Sequence, residues 1–208
     1  QMDLSTSFTG EDTLAVAIDA GAGAAALGEL DLNATTGDEL IVDGITYSFP
    51  VGDKITVLVG DSTDASALYS TACVYGGFTN TLDDCGIPNT AIESPDNGVA
   101  LSASYDIGNG FTGAIGYAGQ GTANEGLGTE DGLDIYGGQL TYTGDSYGAS
   151  VTYANLDVGT AWGLNGYYSF ASDLPSVSVG YEFTETDAVL GDLEATQWFV
   201  GLQWDELG

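Results

Sequence analysis

Hydrophobic side chains recur at every second position along most of this chain. In LTYTGDSYGASVTYANL, residues 140–156, Leu140 and Tyr142 share one phase, and Tyr147, Val151 and Tyr153 continue it beyond a Thr-Gly-Asp-Ser turn. The other phase carries Thr141, Ser146, Gly148, Ser150 and Thr152. A period of two is the pleat of a β-strand, whose side chains alternate between faces. The same reading puts Met2, Leu4 and Phe8 on one face, then Leu14, Val16 and Ile18, then Ile45, Tyr47 and Phe49, then Ile55, Val57 and Val59. It continues with Val99, Leu101, Ala103, Tyr105 and Ile107; Phe111, Ile115 and Tyr117; and Tyr136 before Leu140. Trp162, Leu164, Tyr168 and Phe170 follow, then Val177, Val179, Tyr181 and Phe183, then Trp198, Val200, Leu202 and Trp204. The pattern predicts about eleven strands. Only Ala20–Leu32 has helix-favouring content, and Gly21, Gly23 and Gly28 weaken it.

The connections predict how those strands are joined. Thr9–Asp12, Pro50–Asp53, Gly108–Gly110, Thr143–Ser146 and Ala171–Pro175 are short, whereas Ala20–Asp38, Asp61–Asn97, Gly119–Asp131, Asn155–Thr160 and Thr184–Ala195 are longer. Short and long alternate, as in an antiparallel meander with its tight turns at one end. Greek-key sandwiches mix connection lengths, whereas outer-membrane barrels place short turns on the periplasmic side and long loops outside.

Which face meets water decides between a soluble sandwich and a barrel. A soluble sheet surface carries many charged residues, Lys above all, partly to block edge-to-edge association. Here the second face is small and mostly uncharged: Ser102, Ser104, Thr112, Ala114, Gly116, Gln139, Asn165, Ser178, Gly201 and Gln203. Its few acids are Asp19, Asp106 and Glu182. On the apolar face aromatic residues gather toward strand ends, as in the girdles at two lipid–water interfaces. Their six-residue spacing is short, because at ~3.3 Å per residue and ~40° tilt it rises about 15 Å against a band of about 25 Å. The expectation is an all-β, antiparallel up-and-down transmembrane β-barrel over residues 1–208. An odd strand count and a C-terminal stretch without a terminal aromatic predict an incomplete barrel, with closing strands beyond Gly208.

Composition narrows the chemistry. Thirty-one acids face one base, Lys54, with no histidine, for a net charge of −30. That charge repels nucleic acid. It also leaves serine nucleophiles without a His or Lys base and excludes histidine-ligated metal, so no enzyme activity, catalytic residue, cofactor or metal is expected. The hydrophobic content of 43%, with 12 Tyr, 7 Phe and 3 Trp, argues against disorder. Cys73 and Cys85 lack the redox C-x-x-C spacing and are expected to close a small loop as a disulfide, in an oxidising compartment. Gly21-Ala-Gly23 with Gly28 lacks the βαβ unit of a dinucleotide loop. Paired acids such as Asp83-Asp84, Glu130-Asp131 and Asp205-Glu206 are read as solvated loop charge rather than a glycosidase pair, and no EF-hand spacing for calcium occurs.

Several segments in order resemble the barrel domain of cyanobacterial outer-membrane porins, relatives of the carbohydrate-selective porins that are often labelled iron-uptake porins. They are DLSTSFTGED (3–12), TYSFPVGD (46–53), Asn109-Gly110-Phe111, YTGDSYG (142–148) and GLQWDELG (201–208). No one of them is specific; the ordered set carries the resemblance. It implies an outer-membrane location, contact with lipid, and a water-filled channel for passive diffusion of small hydrophilic solutes and ions, carbohydrates or iron among them. A homotrimer is one assembly open to it. Members of the family carry an N-terminal S-layer-homology domain and a coiled coil, which this chain lacks. In porins a long loop folds inward in some cases, so 61–97 is either a constriction or an external loop pinned by its disulfide. If inward, Asp61, Asp64, Asp83, Asp84 and Glu93, with Asp106 and Glu182, would make the pore favour cations. The alternative is a secreted acidic β-rich surface protein that binds divalent cations.

Overall fold

The computed structural model describes residues 2–20, 39–63, 65–70, 72–73, 98–119, 127–129, 132–156, 159–170, 174–188 and 191–204. They form eleven strands in chain order: β1 (Met2–Thr6), β2 (Thr13–Asp19), β3 (Ile41–Val51), β4 (Ile55–Asp61), β5 (Val99–Gly108), β6 (Phe111–Gly119), β7 (Asp134–Thr143), β8 (Tyr147–Asn155), β9 (Gly159–Tyr168), β10 (Ser176–Ala188) and β11 (Gly191–Gln203). All belong to one sheet in the order β1 through β11, each antiparallel to the next. The fold is thus an all-β up-and-down meander, as the alternation predicts. The sheet is open, with β1 and β11 as its two edges.

Registers set the expected phases side by side across the whole sheet. Tyr105, Gly113, Leu140, Val151, Leu164, Tyr181 and Trp198 form one continuous cross-strand row. Ser104, Ala114, Gln139, Thr152, Gly163, Glu182 and Gln197 form a row on the opposite face. A one-residue slip anywhere would exchange the faces of a strand, so seven strands in phase are a strict test of the alternation.

Two connections depart from expectation. The stretch 184–195 is not a long loop. β10 and β11 stay paired through Asp187↔Asp192 and Ala188↔Gly191, so the hairpin continues almost to its tip. Likewise Leu156 N donates to Gly159 O at 2.8 Å, closing β8 and β9 with a short turn. Both stretches are rich in acids, threonine or glycine, and backbone pairing to a neighbouring strand overrides that loop-like composition. β10 and β11 are thereby thirteen residues long each. The helix-favouring stretch falls, beyond Ala20, outside the described residues.

The turn between β1 and β2 is built on one carboxylate. Asp12 is 3% exposed. Its Oδ1 accepts from Ser7 Oγ (2.7 Å), Phe8 N (3.0 Å), Thr9 N (2.8 Å) and Thr9 Oγ1 (2.7 Å), and its Oδ2 accepts from Tyr47 Oη of β3 (2.7 Å). The hydrogen bonds from Ser7, Tyr47 and Thr9 hold its carboxyl far below the usual aspartate range.

Burial is inverted relative to an ordinary globular core. Among the described residues, the largest side chains with under 2% exposure are Thr141, Thr152, Ser102 and Ser178, all on the polar face. The apolar face is open: Ile115 is 65% exposed, Leu164 54% and Trp198 72%. Aromatic pairs cluster toward its two ends. Phe111–Tyr142 (4.9 Å between centroids), Tyr142–Tyr147 (5.4 Å) and Tyr168–Phe170 (4.8 Å) lie near the tight turns, and Tyr153–Trp162 (4.7 Å) lies toward the other end.

Candidate functional site

The polar face is the candidate site, because the chain itself returns to cover it. Leaving β4, the backbone passes through Ser62, a non-glycine residue at φ 50°. Ser62 N then donates to Gly98 O at 2.7 Å, fastening the start of the long connection to its end. A left-handed conformation at a serine is uncommon and turns the chain sharply. Beyond it, Ala65, Ser66 and Ala72 are buried.

The sequence makes room for this return. A methyl group added at Gly60 would collide with Thr63, and one at Gly116 with the Ala65 carbonyl. Gly116 marks where returning backbone lies directly on a strand, one of the few reasons for glycine inside a strand. Ala65 packs with Ala100 of β5 and Ala118 of β6, and Tyr69 packs against Ala154 of β8 and Ala161 of β9, together with Ile135. The segment 65–70 therefore crosses the polar face from β5 to β9. Ser70 meets β7: its N–H donates to Gln139 Oε1 at 2.8 Å, and its carbonyl accepts from Thr141 Oγ1 at 3.0 Å.

Around this segment the polar face of β7 to β9 presents uncharged hydrogen-bonding groups. Gln139 Nε2 donates to Thr152 Oγ1 at 3.0 Å, and Ser150 Oγ donates to Asn165 Oδ1. Among the described residues, Glu182 of β10 lies on this face at 6% exposure, opposite Gln197 of the next strand. Lys54, the one base of the sequence, lies in the β3–β4 turn with its Nζ 5.9 Å from the centroid of the Tyr105 ring. Among the described residues no group of three or more His, Cys, Asp or Glu side chains is arranged to hold a metal ion.

The acids named as pore candidates are distributed unevenly. Glu182 and Asp106 share the inner-face phase. They stand five strands apart, about 24 Å along the sheet at ~4.8 Å per strand. Asp106 sits at the tight-turn end, exposed, its Oδ1 accepting from Gly108 N at 2.8 Å. Asp61 is the last residue of β4, opposite Ile45 and Val99 and in phase with Val59, so it belongs to the outer face rather than the inner one. Asp64, Asp83, Asp84 and Glu93 fall outside the described residues. Cys73 is disulfide-bonded, and the one other cysteine of the sequence, Cys85, also falls outside them.

Sequence reasoning left open whether the 61–97 connection folds inward; its described part 65–70 lies against the polar face of the sheet. It missed the wall residues that receive the segment, Gln139, Thr141 and Thr152. Two signals were available. Glycine stands at inner positions of β4 and β6, flanking a β5 that carries only Ala100 and Ser102 there. Gln139 is a long amide among hydroxyls and glycines. No protein-family model and no curated protein matches this chain.

Proposed function

We propose that this chain forms the wall of an outer-membrane β-barrel porin of the type its sequence resembles in cyanobacteria. Small hydrophilic solutes and ions would diffuse passively along its polar face while its apolar face meets lipid. The observation that carries this reading is the inverted burial. Leaving a large apolar side chain in water rather than burying it costs up to about 1.5–3 kcal/mol, and on this face many such side chains are about half exposed. Lipid removes that cost, and aromatic residues toward both ends of the strands suit its two interfaces. A closed wall would need partners for the free edges of β1 and β11.

Glu182 on the inner face, the absence of a second base in the sequence and the net charge of −30 favour cations in the bore. The test is the purified protein in a planar bilayer under a salt gradient. Discrete conductance steps with a reversal potential on the cation side are expected. Steps that reverse on the anion side would overturn the selectivity. Extraction into buffer without detergent, with no conductance, would overturn the porin reading and favour a secreted acidic surface protein.

A further inference from the structure

We infer that Gln139 and Thr141 form a latch that holds segment 65–70 across the bore, which makes them the positioning residues for its width. This rests on the inner face being the channel wall. β7 presents the two side chains two residues apart on that face, 6% and 1% exposed. Between them they capture both backbone groups of Ser70: its N–H at 2.8 Å by Gln139 Oε1, its carbonyl at 3.0 Å by Thr141 Oγ1. One residue of the segment is thereby bound as a strand neighbour would bind it, but by side chains.

The amide of Gln139 is oriented for this task. Its Nε2 donates to Thr152 Oγ1 at 3.0 Å, which leaves Oε1 turned toward Ser70, and Thr141 Oγ1 lies 3.0 Å from the same Oε1. A flipped amide would face the Ser70 N–H with its own N–H groups and lose that bond. At the other end of the segment, Ala65 meets the wall through Ala100, Ala118 and the bare backbone at Gly116. Those are packing contacts of small residues, and Tyr69 adds packing on Ala154 and Ala161. The latch adds directional bonds at Ser70, three residues before the disulfide-bonded Cys73.

The test uses Thr141→Val, which keeps the side-chain shape and removes the hydroxyl, and Gln139→Leu, with Thr141→Ser as the conservative control. Ser70→Pro removes the N–H from the segment side and leaves the wall untouched, so it also serves if a wall variant fails to fold. Two readouts are taken on the whole chain: hydrogen-exchange protection of the Ser70 amide in detergent, and single-channel conductance in planar bilayers. Protection should fall about 2–10-fold in Thr141→Val and Gln139→Leu, as expected when one net hydrogen bond is lost. Conductance should rise in both and in Ser70→Pro, and Thr141→Ser should match the unsubstituted protein. Channels of unchanged conductance in Thr141→Val, Gln139→Leu and Ser70→Pro would overturn the latch while leaving the porin reading intact. Absence of conductance in the unsubstituted protein would overturn both.

Discussion

At the scale of single residues, Asp12 is the clearest case of one side chain organising a local structure. One carboxylate satisfies two backbone N–H groups and three hydroxyls, and it ties the β1–β2 turn to Tyr47 of β3. Because these bonds favour the ionised form, its folded pKa lies below its unfolded one, and its contribution to the turn is full above the ordinary value of 3.8. It declines as pH falls below that value. Exchange protection of the Phe8 and Thr9 amides should therefore drop on acidification below about pH 4. In Asp12→Asn it should be lower at neutral pH and insensitive to acid. Protection that is flat with pH in the unsubstituted protein would contradict this role. Single residues were also where sequence reading was weakest. Asp61 was grouped with a loop, yet it closes β4 in phase with Val59, so the pleat turns it outward. Ser70, Gln139 and Thr141 meet across roughly seventy positions of sequence, and no local pattern encodes that meeting.

At the scale of elements, the period-two pattern was legible nearly everywhere because one face of each strand is apolar. The hairpin of β7 and β8 pairs Leu140 with Val151 and Thr141 with Ser150, as the alternation in 140–156 requires. Strand ends were less legible. The paired stretch from Thr184 to Ala195 has the composition of a loop, and only the neighbouring strand decides that it pairs. The course of 65–70 over the polar face rests on small residues, Ala100, Gly116 and Ala118, which the alternation places on that face without saying what covers them. Gly116→Val tests that assignment. The added side chain meets the Ala65 carbonyl, so overpacking should cost about 1–3 kcal/mol and push the segment off the wall. Thermal unfolding and conductance should change together. Gly113→Val, on the outer face near only the tip of Ile107, should leave conductance unaltered and serves as the control. Equal conductance in the two variants would place the segment elsewhere.

At the scale of the whole molecule, the open sheet has two faces of opposite character, and the account turns on which one meets lipid. A soluble sandwich with the same registers would bury Leu140, Val151 and Leu164 and wet Ser150 and Thr152. The porin reading does the reverse and also gives a use to the buried hydroxyls and to the segment that crosses them. The most direct measurement is nitroxide accessibility along β8 and β9 of protein reconstituted in lipid vesicles. Labels at 151 and 164 should collide with oxygen, which concentrates in lipid, and be shielded from a water-soluble nickel chelate. Labels at 150 and 152 should show little collision with oxygen. Labels at 151 and 164 shielded from both agents, as inside a protein core, would contradict the account.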